Sequence, residues 1–372
     1  MYNFGKYLVI IFAIYFFPMQ VYSQRSIYGL QPQKISFNYD VNSSEFDAVS
    51  IKKDINTNIT SPEYDRLGIK NDEFAYVKGL NNPIIKVQFS TLTTNVNYLV
   101  KATVVSGEGI GNVCEFFVNA CDASTKTYTV KLDGAVPSTI GKRTFTWKWE
   151  VTAIPTTTPY CTVSCADFYT SHTYYTLYDV PKEPEIQPRL EILDYACLCS
   201  YGDNTIDDIC NDILANDDLQ VGFKYDYYYV TGHDCSFLSS DFVRIISSLG
   251  IVSNLHLWSA IFYPNVSYGD MTKMCTNEIL LLGYTESEEY LFGYHQWVQV
   301  GAIQIDPSTL FAMEEDFWGA YEDFLFKKYK SSGSVYWQNN YVGQLIGCEA
   351  PEHRMYSDIG ELQDWAGPNV NY

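Results

Sequence analysis

The chain has 372 residues and a formal net charge of -20, with 24 Lys and Arg against 44 Asp and Glu. This acidic excess argues against nucleic acid or an anionic membrane as a partner. Apolar residues make up 47% and charged residues 18%, a composition that excludes a mostly disordered chain. At roughly 150 residues per domain, the length indicates two or three domains.

The N-terminal residues have the pattern of a secretory signal peptide. Lys6 supplies the positive charge, residues 7–17 form the apolar stretch, and the small side chains of Val21 and Ser23 predict cleavage before Gln24. This stretch is too short for a membrane-spanning helix, and no later stretch reaches about 18 apolar residues, so no transmembrane anchor is expected. We therefore expect a secreted protein, either periplasmic or extracellular.

Ten cysteines follow the expected cleavage point, at positions 114, 121, 161, 165, 197, 199, 210, 235, 275 and 348. An exported chain meets an oxidising environment, in which cysteines usually form disulfides. The even number is compatible with five disulfides, and close pairs such as Cys114/Cys121 and Cys161/Cys165 are candidates, although spacing alone does not assign partners. An even number mildly opposes a reactive thiol, because one cysteine reserved for chemistry leaves a second one unpaired.

Residues 24–180 have the alternating pattern of β-strands. Apolar side chains occupy every second position over residues 85–89, 128–132 and 145–151, and residues 172–178 form a candidate last strand. Short strands at this spacing indicate an all-β, antiparallel sandwich that is immunoglobulin-like in broad shape. The prolines at 181, 184 and 188 then predict a stiff, solvated linker.

The pattern after the linker changes to helices and then to a pair of strands. Apolar residues repeat at helical intervals over residues 206–215 and 237–249, and Gly250 is a natural end for the second helix. Residues 294–300 and 303–305 predict two strands with a tight connection between them. This combination predicts an α+β domain.

Three residues of this second half form a candidate catalytic site. Cys235 precedes a predicted helix, where backbone N–H groups and the helix dipole favour a thiolate and can also hold an oxyanion. His295, with Trp297 two residues on to hold its ring, is a candidate general base. Asp306 ends the partner strand, from which it can hold the imidazole in the required tautomer. The trio is typical of thiol acyl transfer, although each member alone also has an ordinary structural role.

Residues from about 190 to 310 resemble the transglutaminase-like superfamily, a branch of the papain-like cysteine acyltransferases. The residues that carry the resemblance are 195–227, which end in Phe-Lys-Tyr-Asp-Tyr; 232–251, with Gly-His-Asp-Cys and then Leu-Gly-Ile; and 295–307, with His-Gln-Trp-Val-Gln-Val and then Ile-Asp-Pro. The resemblance implies an α+β, papain-like core.

The resemblance also implies roles for the three candidate residues. Cys235 corresponds to the nucleophile, His295 to the general base and acid, and Asp306 to the residue that orients the histidine. The implied reaction is attack on a peptide or carboxamide carbonyl to form a thioester, which water or an amine then resolves. We favour hydrolysis, by a protease or amidase, over crosslinking, because the sequence has no evident calcium site.

No cofactor or metal is expected. Gly107, Gly109 and Gly111 come close to a dinucleotide fingerprint, but a βαβ context is lacking. Cys197 and Cys199 lack a second matched pair of metal ligands. The expected partner is a peptide or protein substrate.

Together these patterns divide the chain into a signal peptide (1–23), a β-sandwich (24–180), a linker (181–189), a transglutaminase-like catalytic core (190–310) and a C-terminal extension packed on the core (311–372). The alternative function is that of a catalytically inactive transglutaminase-like protein, serving as an extracellular peptide- or carbohydrate-binding or adhesion module. The 32 Tyr and 7 Trp residues would suit such binding. A thiol at Cys235 beside His295 favours the enzyme, and a disulfide at Cys235 favours the binding module.

Overall fold

The computed structural model describes residues 30–37, 48–91, 96–119, 126–155, 163–164, 167–215, 235–259, 274–279, 288–292, 294–309, 311–314, 328–331, 334–338 and 345–348. The predicted signal peptide, residues 1–23, lies outside these ranges. The chain divides into two compact units, residues 1–177 and residues 178–372. No helix within the described ranges is long and apolar enough to cross a membrane.

The described part of the N-terminal unit consists of strands and the turns between them. The strands are β1 Leu30–Ser36, β2 Ala48–Val49, β3 Tyr64–Asp65, β4 Lys70–Asn71, β5 Phe74–Val77, β6 Ile84–Thr91, β7 Val96–Gly107, β8 Asn112–Val118, β9 Thr127–Asp133, β10 Gly141–Pro155, β11 Val163–Ser164 and β12 Phe168–Leu177. They form one sheet with the order β2-β5-β12-β10-β7-β8-β9-β6-β1-β3-β4, and β11 pairs with β10. The pairing of β5 with β12 is parallel.

This sheet curls on itself, so that its two halves share one hydrophobic core. Strand β9 joins the halves, because it pairs with β8 on one side and with β6 on the other. Across the core, Phe89 of β6 meets Trp149 of β10 edge to face, with ring centroids 6.1 Å apart. The expected all-β character of this unit is therefore what the structure has, but the strands form one continuous sheet and no immunoglobulin-like arrangement is shown.

The alternation along β10 explains why this strand lies at the centre of the core. Phe145, Trp147, Trp149 and Val151 are each no more than 2% exposed, as the alternating pattern predicted. The two indole N–H groups are satisfied inside the core: Trp147 Nε1 donates to the Gly111 carbonyl and Trp149 Nε1 donates to Thr170 Oγ1, both at 2.9 Å. Burial of large aromatic side chains of this kind contributes about 1.5–3 kcal/mol each.

The C-terminal unit contains both helices and strands. The helices are α1 Leu190–Cys199, α2 Ile206–Leu214 and α3 Cys235–Ser248, and the strands are β13 Asn254–Ser259, β14 Met274–Ile279, β15 Glu288–Phe292, β16 Tyr294–Val300, β17 Ile303–Asp306, β18 Phe311–Glu314, β19 Lys328–Ser331, β20 Ser334–Gln338 and β21 Leu345–Cys348. The two predicted helices and the predicted strand pair are confirmed as α2, α3, β16 and β17.

A four-stranded sheet with the order β13-β16-β17-β18 carries the site described below. Strands β14 and β15 pair separately, and β19, β20 and β21 form a three-stranded sheet. The C-terminal extension predicted from residue 311 therefore begins with β18, an edge strand of the four-stranded sheet. Residues 349–372 lie outside the described part of the chain.

The end of α3 has the geometry of a Schellman motif. Gly250 has a φ of +90°, its N–H donates to the Ser247 carbonyl at 3.0 Å, and the Ile251 N–H donates to the Ile246 carbonyl at 3.0 Å. Ile246 and Ile251 are both buried, which provides the apolar contact typical of this motif. The glycine predicted to end this helix is therefore confirmed in that role.

Residues 181–189, which the prolines predicted to be a solvated linker, are partly buried against α3. The N–H groups of Asp179 and Lys182 donate to the Leu249 and Ser247 carbonyls, each at 3.0 Å. Glu185 is 7% exposed and pairs with Arg244 of α3 at 3.3 Å. Residues 179–182 thus supply backbone N–H donors to carbonyl groups at the end of α3.

The arrangement of five disulfides with which the even number of cysteines is compatible is not what the structure has. Within the described ranges Cys114, Cys197, Cys199, Cys210 and Cys235 carry thiols, which leaves too few cysteines for five bridges. The candidate pair Cys114/Cys121 is excluded with it, and Cys161 and Cys165 lie outside the described residues. Burial provides the physical reason for two of these positions, since Cys197 and Cys210 pack inside the helical layer as small apolar side chains.

Candidate active site

Cys235 is the first residue of α3 and is half-buried. The first N–H groups of a helix have no partner within the helix, and together with the helix dipole they stabilise a negative charge. The apolar face of α3, with Phe242, Ile245 and Ile246 fully buried, packs against β16 and β13. The residues before the helix, 232–234, lie outside the described part of the chain.

His295 and Asp306 are in direct contact. Strands β16 and β17 are antiparallel, with Val298 opposite Ile305 and Val300 opposite Ile303. If this register continues by one residue, Asp306 lies opposite Trp297, and His295 is two residues further along β16 at the same end of the hairpin. His295 Nε2 lies 2.9 Å from Asp306 Oδ2, and both side chains are 0% exposed. The Nε2 atom therefore faces the carboxylate, and Nδ1 is the ring nitrogen on the other side.

The Asp306 carboxylate also accepts hydrogen bonds from the two residues that follow Pro307. Ser308 donates to Oδ1 through its backbone N–H at 3.0 Å and through its Oγ at 2.6 Å. Thr309 Oγ1 donates to Oδ2 at 3.0 Å. Sequence reasoning assigned no role to Ser308 or Thr309; the signal was an aspartate followed by hydroxyl residues in a turn, a combination that favours local hydrogen bonds.

Trp297 lies beside His295 on the same strand. Its ring is nearly parallel to the imidazole, with an interplanar angle of 18° and centroids 6.1 Å apart. Its Nε1 donates to Gln304 Oε1 on β17 at 3.0 Å. The contact between Trp297 and His295 was expected from their spacing, whereas Gln304 was not recognised as a partner.

The structure thus brings two of the three predicted site residues into contact and places the third on a packed neighbour. His295 and Asp306 share a buried hydrogen bond, and Cys235 begins the helix that packs against the strand of His295. A thiol at a helix N-terminus is a suitable proton donor to a neutral imidazole, and a carboxylate that is hydrogen-bonded to the ring can stabilise the imidazolium that this transfer forms.

The other thiols have different surroundings. Burial raises the pKa of the Cys210 thiol to about 12, with a further contribution from the negative charge of Asp207. Cys114 is an exposed residue of β8. These two positions provide reference thiols, one buried and one exposed. Among the residues that the structure describes, no group of three or more His, Cys, Asp or Glu side chains is arranged to hold a metal ion.

Comparisons with known proteins provide little further information. No protein-family model and no curated protein matches the sequence. Among solved structures, the crystal structure of red sea bream transglutaminase is similar to this chain with a TM-score of 0.28 and 11% sequence identity. The similarity covers 63% of this chain and 46% of the transglutaminase, so this chain spans less than half of that protein. A similarity of this size does not establish a family.

Proposed function

We propose that this chain is a thiol-dependent acyl-transfer enzyme of transglutaminase-like fold, with Cys235 as nucleophile, His295 as general base and acid, and Asp306 as the residue that orients the imidazole. The observation that carries the proposal is the 2.9 Å hydrogen bond between the fully buried side chains of His295 and Asp306, on the hairpin against which the helix of Cys235 packs. Buried ionisable groups are costly unless paired, and such pairs concentrate at functional sites.

The proposed reaction begins at the thiol. Cys235 transfers its proton to His295 Nδ1, and the resulting thiolate attacks the carbonyl carbon of a peptide or carboxamide bond. Backbone N–H groups at the start of α3 stabilise the oxyanion that forms. The imidazolium then gives its proton to the departing amine as the C–N bond breaks, which leaves a thioester. Asp306 stabilises the imidazolium throughout.

The second half of the proposed cycle releases the acyl group. A water molecule gives a proton to His295 and attacks the thioester, the C–S bond breaks, and Cys235 recovers its proton from the imidazolium. The products are a carboxylic acid and the starting thiol. We take water rather than an amine as the acceptor, a peptide or protein as the substrate, and an exported chain as the active form. Mass spectrometry of the reaction product, formed with and without an added primary amine, shows whether water or an amine is the acceptor.

The test is selective alkylation of the native, unreduced full chain with limiting iodoacetamide at pH 6, followed by mass spectrometry. An ordinary thiol, with a pKa of about 8.5, is less than about 1% thiolate at this pH. We expect Cys235 to be labelled, with exposed Cys114 and buried Cys210 as internal references that are not. The label is expected to disappear in His295→Ala.

Two results would overturn the proposal. Labelling of Cys235 no faster than Cys114 would show that the helix N-terminus and His295 do not activate the thiol. Labelling that is unchanged in His295→Ala would show that the two residues are not coupled. Either result would favour the alternative function, a binding module that retains the fold without turnover.

A further inference from the structure

We propose that Ser308 and Thr309 are positioning residues that hold the Asp306 carboxylate ionised and turned toward His295. This inference rests on the proposed function and extends it beyond the three residues that carry the chemistry. Neither residue would touch the substrate or the reacting atoms, so both would act through Asp306.

The first argument is the number of donors around the carboxylate. Oδ1 accepts two hydrogen bonds from Ser308, from the N–H at 3.0 Å and the Oγ at 2.6 Å. Oδ2 accepts two more, from His295 Nε2 at 2.9 Å and Thr309 Oγ1 at 3.0 Å. An ionised carboxylate offers about four acceptor positions, so this shell fills them. A protonated carboxyl would have to donate one of these four hydrogen bonds, to a hydroxyl group or to a neutral imidazole, and would accept at most three.

The second argument is burial. Asp306 is 0% exposed, and burial by itself favours the neutral form of a carboxyl group. A neutral Asp306 would accept from the imidazole but would not stabilise an imidazolium by charge. Hydrogen bonds to the ionised form oppose the effect of burial. The backbone N–H of Ser308 and the hydroxyl groups of Ser308 and Thr309 supply hydrogen bonds of this kind.

The third argument is orientation. The two oxygen atoms are held by different residues, so rotation of the carboxylate about its last bond breaks hydrogen bonds on both sides. A backbone hydrogen bond from the Thr309 N–H to the Asp306 carbonyl, at 3.2 Å, closes the turn. The closed turn keeps the hydroxyl groups of Ser308 and Thr309 beside the Asp306 carboxylate. Thr309 and His295 share the Oδ2 atom, which couples the turn directly to the imidazole.

The experiment measures the reactivity of Cys235 toward iodoacetamide in the full chain at pH 6 and at pH 10. The rate at pH 6 divided by the rate at pH 10 reports the fraction of Cys235 that the imidazolium holds as thiolate. At pH 10 the thiol is ionised in every variant, and a change in the accessibility of Cys235 to iodoacetamide affects both rates equally. We expect Ser308→Ala and Thr309→Val each to lower this ratio by about tenfold or more, as the loss of a hydrogen bond to a charged group implies. Ser308→Thr and Thr309→Ser, which keep the hydroxyl group, should preserve most of the ratio.

Ser247→Ala is the matched control. Ser247 is 1% exposed, and its Oγ has no hydrogen-bond partner in the described part of the chain. Removal of this hydroxyl should leave the ratio unchanged, whereas a general effect of serine removal from the buried layer would lower it. Near-ultraviolet circular dichroism verifies that each variant is folded. If Ser308→Ala does not fold, Thr309→Val decides the question, because Thr309 is only half-buried and valine has nearly the same shape.

The outcomes separate this inference from the proposed function. A parent chain with a high ratio and variants that match the parent would overturn the role of Ser308 and Thr309 and leave the proposed function standing. A parent chain with no reactivity at pH 6 would overturn both. A high parent ratio that falls in Ser308→Ala and Thr309→Val, and recovers in the conservative variants, would establish the positioning role.

Discussion

The indole ring of Trp297 lies against the imidazole ring of His295, with an interplanar angle of 18°, and is itself held by Gln304 through a 3.0 Å hydrogen bond. Trp297 is 3% exposed and Gln304 is 2% exposed. The imidazole is thus bounded on one face by a ring that cannot rotate without loss of a buried hydrogen bond. His295 is therefore fixed both by the carboxylate of Asp306 and by a ring that the next strand holds.

We expect Gln304→Leu to lower the free energy of unfolding by about 1–3 kcal/mol, because it removes the acceptor of a buried indole N–H group. It should also reduce alkylation of Cys235 at pH 6, since Trp297 no longer fixes the imidazole. Urea unfolding followed by tryptophan fluorescence measures the first effect. Gln299→Leu, at a partly exposed position on the same hairpin, is the control and should change stability by no more than about 0.5 kcal/mol. Equal effects of the two variants would contradict this account.

Gly250→Ala is expected to destabilise the C-terminal unit strongly. A Cβ atom at this position would lie 2.3 Å from the Asp179 carbonyl oxygen, in addition to the strain of a φ of +90°. Gly202→Ala separates the two effects, because Gly202 has a φ of +98° and a Cβ there meets nothing within 4 Å. We expect about 1–2 kcal/mol for Gly202→Ala and clearly more for Gly250→Ala, measured by urea unfolding. Similar losses would mean that the segment around Asp179 moves aside.

The stability of the N-terminal unit should fall in acid because of His172. Its ring is 2% exposed among Phe37, Phe145 and Trp147, and neither ring nitrogen has a hydrogen-bond partner in the ranges described. Burial lowers the pKa of His172 from 6.5 to about 3. The unfolded chain therefore binds this proton first, so the stabilisation present above pH 6.5 is lost progressively between pH 6.5 and pH 3.

The expected slope for this one group is about 1.4 kcal/mol per pH unit within that window. His172→Phe should flatten the slope between pH 6 and pH 4, since a phenylalanine fits an aromatic surrounding and does not titrate. Guanidinium unfolding at several pH values measures the slope in both proteins. An identical slope in His172→Phe would show that other groups cause the acid sensitivity.

Asp306→Asn tests the orienting carboxylate. With its one oxygen kept for the Ser308 donors, the amide places an NH₂ group, which donates and does not accept, against His295 and Thr309. If the proposed function holds, we expect turnover of a peptide substrate to fall by roughly two to four orders of magnitude, as in other triads with a neutralised acid. Cys235→Ala should abolish turnover with the fold intact. Asp207→Asn, a carboxylate in the first turn of α2, is a control that should leave turnover unchanged.

The sequence was sufficient to predict the helices and strands in which the spacing of apolar residues follows the buried face. Phe145, Trp147 and Trp149 alternate because only one face of β10 meets the core, and the apolar residues of α3 repeat because one stripe of the helix is buried. Gly250 was predictable because a helix end in the left-handed region favours glycine. The candidate site followed from the same elements, since Cys235 begins the helix and the hairpin brings His295 and Asp306 together.

Other features depend on partners that a local pattern does not specify. Alternation indicates which face of a strand is buried but not which strand is its neighbour, so the pairing of β5 with β12 and the single continuous sheet were not predicted. Gln304 and Thr309 appear as ordinary polar residues in the sequence. They became identifiable only when the opposite strand and the turn brought the Trp297 indole and the Asp306 carboxylate to them.

The pairing of β5 with β12 has a consequence for how the N-terminal unit is made. Phe74 lies opposite Tyr174 in the parallel register, and the Asn71 side chain bonds to the Ser171 carbonyl across a separation of 100 residues. Closure of so long a loop is a slow, entropically opposed step, and domains rich in such contacts fold in milliseconds to seconds. Because β12 is the last strand of the unit, a growing chain exposes the apolar side of β5 until residue 177 has been synthesised. Fragments that end before β12 should therefore aggregate rather than fold.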